Sequence, residues 1–168
     1  DRTIKGIENL GMNTRYNSRD GFFYLSRDKE KEKKWRKVVH KFDKNTHTGT
    51  ETMILSAVLF NGETILQNAA EEPEVDELIN LLNQMGAKIV RNAKREITID
   101  GVEKLHGATF EIGPDRNEIV TFAIAAIVTK GDVFIKNAHR VDLSEFLKKL
   151  EKANGGIEER KDGIRFYY

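Results

Sequence analysis

The chain has 168 residues, 39% of them hydrophobic and 33% charged, with a net charge of +1. That is a globular composition with no global charge demanding a polyanionic partner, which excludes a disordered or strongly basic nucleic-acid-coating chain. It contains no cysteine, which excludes a disulfide framework, a thiolate metal site and a catalytic thiol within this sequence; its longest apolar runs, about ten residues, are too short to span a bilayer as a helix.

Asp1 to Leu10 reads as the latter half of an amphipathic helix ended by Gly11, with strands expected near Phe22–Leu25 and Val38–Phe42. Thr48, three residues before Glu51, suggests a capping box. Met53, Ile54, Leu55, Ala57, Val58, Leu59 and Phe60 follow, apolar on nearly every face, so this helix is expected to be buried all round. Asn61-Gly62 ends it, and Thr64–Gln67 reads as a short strand.

Pro73 stands where a first helical residue belongs. Val75, Leu78, Ile79, Leu81, Leu82 and Met85 form one stripe, closed by Gly86. Strands are expected around Ile89-Val90, Ile97–Ile99 and Ala108–Ile112. Asp115 and Glu118 suggest a second capping box before another helix apolar all round, Ile119 to Val128, stopped by Gly131. Val133–Ile135 reads as a strand. Asp142, with Glu145 and a Val141–Phe146 staple, is expected to cap a helix with Leu143, Phe146, Leu147 and Leu150 on one side. Gly155 closes it, and Ile164–Tyr168 reads as the last strand.

The second and third runs are copies. Gly62, Asn68, Ala69, Leu78, Leu81 and Gly86 recur as Gly131, Asn137, Ala138, Leu147, Leu150 and Gly155, every pair 69 residues apart. A constant offset across helix, turn and strand positions indicates one supersecondary unit used repeatedly. Each unit holds one apolar helix, one amphipathic helix and several short strands, an α/β (α+β) class with helices inside and sheets outside.

Asp43-Lys44-Asn45-Thr46-His47-Thr48-Gly49-Thr50 is the strongest local site candidate. It leads into a helix N-terminus, where free amides and the dipole favour phosphate. Local sequence alone favours the simpler reading of the same residues, a capped helix with a polar leading loop. Basic residues crowd Arg27 to Lys44 around Trp35, a pattern open to single-stranded nucleic acid, but interspersed acids favour a solvated hairpin. Glu71, Glu72 and Glu74 around Pro73 suit acid–base chemistry or, more simply, a helix N-terminus. The four histidines show no metal-binding spacing.

Asn68-Ala69-Ala70-Glu71-Glu72-Pro73-Glu74-Val75 and the helix ending Met85-Gly86-Ala87-Lys88-Ile89 resemble the UDP-N-acetylglucosamine 1-carboxyvinyltransferase family of enolpyruvyl transferases. Ile97–Leu105, Gly113-Pro114-Asp115-Arg116, Asp43-Lys44 and Gly6–Gly11 extend the match. The resemblance implies repeated βαβαββ-type units forming an inside-out α/β barrel, incomplete here. It implies residues 1–113 as the later part of the catalytic domain (a partial unit 1–47 and a complete one 48–113), and 114–168 as the first unit of a second domain. It further implies transfer of the enolpyruvyl group of phosphoenolpyruvate to the 3-hydroxyl of UDP-N-acetylglucosamine, in peptidoglycan synthesis, in the cytoplasm, with no metal or cofactor.

Asp1, Arg2, Lys44, Asn45, Thr46 and His47 match UDP-sugar-contacting positions, Glu72 and Glu74 the acidic signature, and Asp115 and Arg116 the hinge pair. Arg2, His47 and Thr48 replace the usual apolar residue, valine and glycine. The family's catalytic cysteine loop is expected upstream of Asp1, and its general-base aspartate beyond Tyr168. The chain alone is therefore expected to be inactive. The alternatives are a non-catalytic binding or scaffold domain of this fold and, ranked lower, an RNA-binding module.

Overall fold

The computed structural model describes residues 2–26 and 36–168, apart from the side chain of Arg2. In chain order the elements are α1 (Arg2–Asn9), β1 (Asn13–Asn17), β2 (Phe22–Ser26), β3 (Arg36–Lys41), α2 (His47–Ala57), β4 (Gly62–Gln67), α3 (Pro73–Gln84), β5 (Lys88–Ala93) and β6 (Glu96–Asp100). They continue with α4 (Arg116–Val128), β7 (Asp132–Lys136), α5 (Arg140–Lys152), β8 (Gly156–Arg160) and β9 (Gly163–Tyr167). Two compact units result, Asp1–Phe110 and Glu111–Tyr168.

In the first unit a four-stranded sheet runs β3-β4-β6-β5, beside a separate β1-β2 pair. β3 and β4 are parallel, so their connection must cross over, and α2 is that crossover. β4–β6 and β6–β5 are antiparallel. Helices and strands share one core: Ile7 of α1 and Leu10 just after it, Met53, Ile54 and Ala57 of α2, Val75, Ile79 and Leu82 of α3, Leu66 of β4, and Ile97 and Ile99 of β6. α1 and α2 approach closely because Gly6 has no side chain; a Cβ there would stand 2.4 Å from Met53 Sδ.

The second unit repeats the order as β7-β9-β8, both pairs antiparallel. Its core joins Ile119 and Ala123 of α4, Leu143, Leu147 and Leu150 of α5, and Ile164 and Phe166 of β9. The alternation of helices with short strands follows the α/β expectation, and no sheet closes into a barrel among the described residues.

The repeat has a backbone cause. Asn68 and Asn137 stand in the left-handed region at φ 55° and 56°, each turning the chain from a strand toward an amphipathic helix. Asparagine tolerates that conformation better than most side chains do.

Several expectations fail on physical grounds. α2 is capped by Thr46, not Thr48: Thr46 is extended (φ −150°), its side chain accepts from Gly49 N–H, and its carbonyl accepts from Thr50 N–H. The two apolar helices are not buried all round. Leu55 of α2 is exposed, as are Leu59, which lies past the helix end at Ala57, and Phe122, Ile124 and Val128 of α4, because each described core covers only one side of its helix. Segment 108–112 forms no strand; it pairs with none among the described residues and leaves Ile112 exposed.

α5 starts at Arg140 with His139 at its cap, so Asp142 lies in the first turn, where its charge still suits the dipole. Val141 is 80% exposed and makes no staple. At the ends of α4 and α5 the left-handed residues are Lys130 and Asn154, each one before the expected glycine. Gly155 is required instead by packing, since a Cβ there would meet Leu150 Cγ at 2.7 Å. Strands β1 and β8 were not expected. Residues 27–35 of the basic stretch, Trp35 among them, lie outside the described residues.

Candidate functional site

The parallel strands β3 and β4 end side by side, and the loops leaving them form the candidate site. Ligand crevices in α/β units characteristically lie beyond the carboxyl ends of such strands. Phe42 N–H donates to Gln67 O at 3.0 Å, and Asn68 Nδ2 donates to Phe42 O at 2.9 Å. Asn45 Nδ2 reaches Ala69 O at 3.3 Å. The fully buried Thr50 hydroxyl donates to Thr46 O at 2.7 Å and accepts from Ala70 N–H at 3.0 Å. These bonds stitch the Asp43–Thr50 loop to the Asn68–Ala70 turn.

At the start of α2, Thr46 Oγ1 takes the Gly49 amide at 3.3 Å. The helix offers no acceptor to the amides of His47 and Thr48, which is the arrangement that binds an oxyanion. Lys44 is exposed beside them. His47 Nε2 lies 3.3 Å from Glu51 Oε1, one turn along. Lys44, Asn45, Thr46 and His47 thus lie together in the loop that leads into α2.

The acidic signature follows directly. Arg95 O accepts from Ala69 N–H at 3.1 Å, and Arg95 Nη1 donates to Asn68 Oδ1 at 3.1 Å. Glu71 pairs with Arg95 and with Lys94 at 2.9 Å. The hydrogen bond from Lys94, reinforced by Arg95, holds the Glu71 carboxyl below the usual carboxylate range. Glu71 is therefore a strut between the turn and the β5–β6 hairpin. Glu72 caps α3 through its backbone, without a side-chain bond, and Glu74 stands in the first turn.

Asp115 caps α4, accepting from Asn117 N–H at 2.7 Å and Glu118 N–H at 3.2 Å, with Arg116 next to it as the first helical residue. Asp115 and Arg116 belong to the second unit. Asp1 and the side chain of Arg2 lie outside the described residues.

Sequence reasoning missed a cavity of about 170 Å³ beside the loop, lined by Lys5, Asn9, His40, Lys41, Phe42 and Asp43. His40 is 3% exposed, its Nδ1 3.3 Å from Asn9 Nδ2 and its ring edge-on to Phe42 at 4.7 Å. Burial, helped by the Lys5 charge and opposed by Asp43, lowers its pKa. Only the alternation of Val38, His40 and Phe42 along one strand face hinted at this. No cluster of three or more metal-ligating side chains occurs among the described residues, and none of their helices is long and apolar enough to cross a membrane.

Residues 1–167 match the family model described as EPSP synthase (3-phosphoshikimate 1-carboxyvinyltransferase). A UDP-N-acetylglucosamine 1-carboxyvinyltransferase of Acidobacterium capsulatum is 43% identical over 166 residues, 98% of this chain and 36% of that protein. One from Magnetococcus marinus is 47% identical over 124 residues, 74% of this chain and 30% of that protein. The chain therefore spans little more than a third of the length of such relatives.

Among solved structures, the enolpyruvyl transferase NikO from Streptomyces tendae superposes with a TM-score of 0.76 at 18% identity, covering 99% of this chain and 41% of NikO. EPSP synthase from Acinetobacter baumannii gives 0.65 at 16% identity, covering 99% and 38%. These two likenesses concern the fold. With the family model spanning the chain from its first residue to its penultimate one, the chain belongs to the EPSP synthase family of enolpyruvyl transferases.

Proposed function

We propose that this chain forms part of the UDP-sugar site of a UDP-N-acetylglucosamine 1-carboxyvinyltransferase. That enzyme moves the enolpyruvyl group of phosphoenolpyruvate to the sugar's 3-hydroxyl in the cytoplasm. The observation that carries the reading is the loop Lys44–Thr48, whose unclaimed amides and adjacent lysine suit a diphosphate. The names of the relatives at 43% and 47% identity select the UDP-sugar among possible phosphorylated ligands.

In this reading Lys44 pairs with the diphosphate as a point charge. Asn45 and Thr46 hold the loop, and His47 adds a donor where the family carries valine. Asp1 and Arg2 contact the uridine. Residues 1–113 belong to the catalytic domain, with Asp115 and Arg116 beginning the crossing into 114–168. Glu72 and Glu74 are the acidic residues of the signature turn. The chain carries no cysteine to protonate the enol carbon, so alone it does not turn over.

The test is an amide-shift titration with UDP and UDP-N-acetylglucosamine. Shifts at Lys44–Thr50 and Asn68–Glu71 are expected. Lys44→Ala is expected to weaken binding about fivefold, the equivalent of roughly 1 kcal/mol for one exposed charge at a helix N-terminus. Shifts confined to 111–168, or phosphate release above background from both substrates, would overturn the reading.

A further inference from the structure

Helix α1 meets the rest of its unit at a buried histidine that the candidate loop does not use. His40 lies on the core face of β3, in register with Leu66 of β4. Its ring stands edge-on to Phe42. α1 comes up against the ring with Gly6, where a Cβ would stand 3.3 Å from His40 Cε1 and 2.4 Å from Met53 Sδ of α2. The ring therefore sits where β3, α1 and α2 converge.

Its polar contacts are few. Asn9 Nδ2 donates to Nδ1 at 3.3 Å, so Nδ1 is the acceptor and the single proton of the neutral ring lies on Nε2. Nε2 is sealed from solvent and has no hydrogen-bond partner among the described residues. The charged groups that act on the ring are Lys5 of α1 and Asp43 just past β3. Glu8, also on α1, bonds Thr14 instead. α2 meets the ring with Met53, and β4 places Leu66 beside it, neither of them titratable.

A second proton would land on Nδ1. It would set the ring N–H against the Asn9 donor and bury a cation near the Lys5 ammonium, with Nε2–H still unpaired. Turning the Asn9 amide over would restore one bond but give Nε2 no acceptor. Once α1 moves away, water solvates the ring and it takes the proton near its ordinary value of 6.5. Protonation therefore favours the opened arrangement. α1 remains tethered beyond this point, because Leu10 is buried in the core and its carbonyl accepts from Arg36 Nη2 at 2.7 Å. The opening is local. It widens the cavity lined by Lys5, Asn9 and Asp43, and Asp43 is also the first residue of the candidate loop.

We propose that His40 is a proton-operated latch on α1. Neutral, it accepts from Asn9 and holds the helix against β3. Protonated, it releases the helix and opens the cavity beside the Asp43–Thr50 loop. The inference rests on no ligand assignment, so a failed nucleotide titration leaves it standing.

The test measures amide hydrogen-exchange protection factors in the full chain at pH 7.5, 6.5 and 5.5. One proton linked to the opening is expected to lower the protection of Ile7–Leu10 by about three- to tenfold between pH 6.5 and 5.5, while the amides of α3 keep theirs. His40→Gln, which cannot titrate, is expected to make α1 protection independent of pH over this range. Asn9→Asp, at an exposed site, offers a carboxylate to the Nδ1 proton and is expected to shrink or reverse the acid loss. Circular dichroism is the folding control, and Asn9→Asp decides the matter if His40→Gln does not fold. Protection of α1 that is flat with pH in the parent chain overturns the proposal. So does loss in α1 and α3 together, acid loss retained in His40→Gln, or acid loss unchanged in Asn9→Asp.

Discussion

Thr50→Val tests whether the candidate site is held by the bonds described. Thr50 is fully buried, and its hydroxyl makes two contacts, to Thr46 O at 2.7 Å and from Ala70 N–H at 3.0 Å. Valine keeps the shape and removes both. Thr46 O retains the Thr50 amide at 3.1 Å, so it is not orphaned. Ala70 N–H is orphaned, in a residue that is itself 0% exposed. Leaving a buried donor unsatisfied costs about 1–3 kcal/mol, so roughly 2 kcal/mol of stability is expected to be lost.

Thr50→Ser keeps the hydroxyl and loses only a methyl group, at about 1 kcal/mol. Urea unfolding followed by circular dichroism reads both variants, through the midpoint at constant slope. In a thermal scan, valine is expected to cost roughly 10 °C in a unit of this size. The ordering decides the matter. If Thr50→Val is as stable as the parent, or more stable than Thr50→Ser, the hydroxyl does not tie α2 to the Asn68–Ala70 turn.

His40 titrates in the native state below its ordinary value near 6.5, chiefly through burial and then Lys5, against Asp43. Its contribution to stability is complete above the unfolded value and is lost as pH falls through the folded one, because the unfolded chain takes the proton first. His40→Gln is expected to flatten that acid slope in urea titrations at pH 4.5 to 7; an unchanged slope would refute the assignment. Glu158, bonded by Arg160 and then Arg165, is held down to about 2 from 4.5. Its contribution is therefore present above 4.5 and lost between there and about 2, and carboxyl chemical shifts should show the depression shrinking in 1 M salt. Replacing Asn137 by Gly should leave stability within about 0.5 kcal/mol, while Val at φ 56° should cost about 1–2 kcal/mol. Asn68→Gly should cost more than Asn137→Gly in the same unfolding assay, since Asn68 also bonds Phe42 O and Arg95.

The local geometry of the candidate loop was legible where the proposed contacts and the backbone use the same residues. Thr46 and Lys44 stand in a motif whose chemistry is local, so their contiguity followed from adjacency in the chain. The error over the cap arose because Thr48 and Thr46 are both good cap residues, and the Thr48–Glu51 spacing favoured the wrong one. The repeat itself held the answer: Asp115, the observed cap of α4, lies at the constant offset from Thr46. Thr50, Lys94, Arg95 and His40 were invisible as site components, because each acquires its role from a partner distant in sequence.

What the sequence by itself determined is the repeat, the alternation of helices with short strands and the family. These depend on periodicity, turn residues and motif spacing, all carried within a few dozen residues. The tertiary structure alone decided which sides of the apolar helices are covered, which strand stands centrally in each sheet, and that the Asp43–Thr50 loop is bonded to the Asn68–Ala70 turn. The physical reason is that burial and hydrogen-bond satisfaction depend on neighbours. An apolar residue such as Phe23 or Ile97 looks the same in the chain, yet one is half exposed and the other sealed, Ile97 having strands on both sides of β6 while β2 pairs with β1 alone among the described residues.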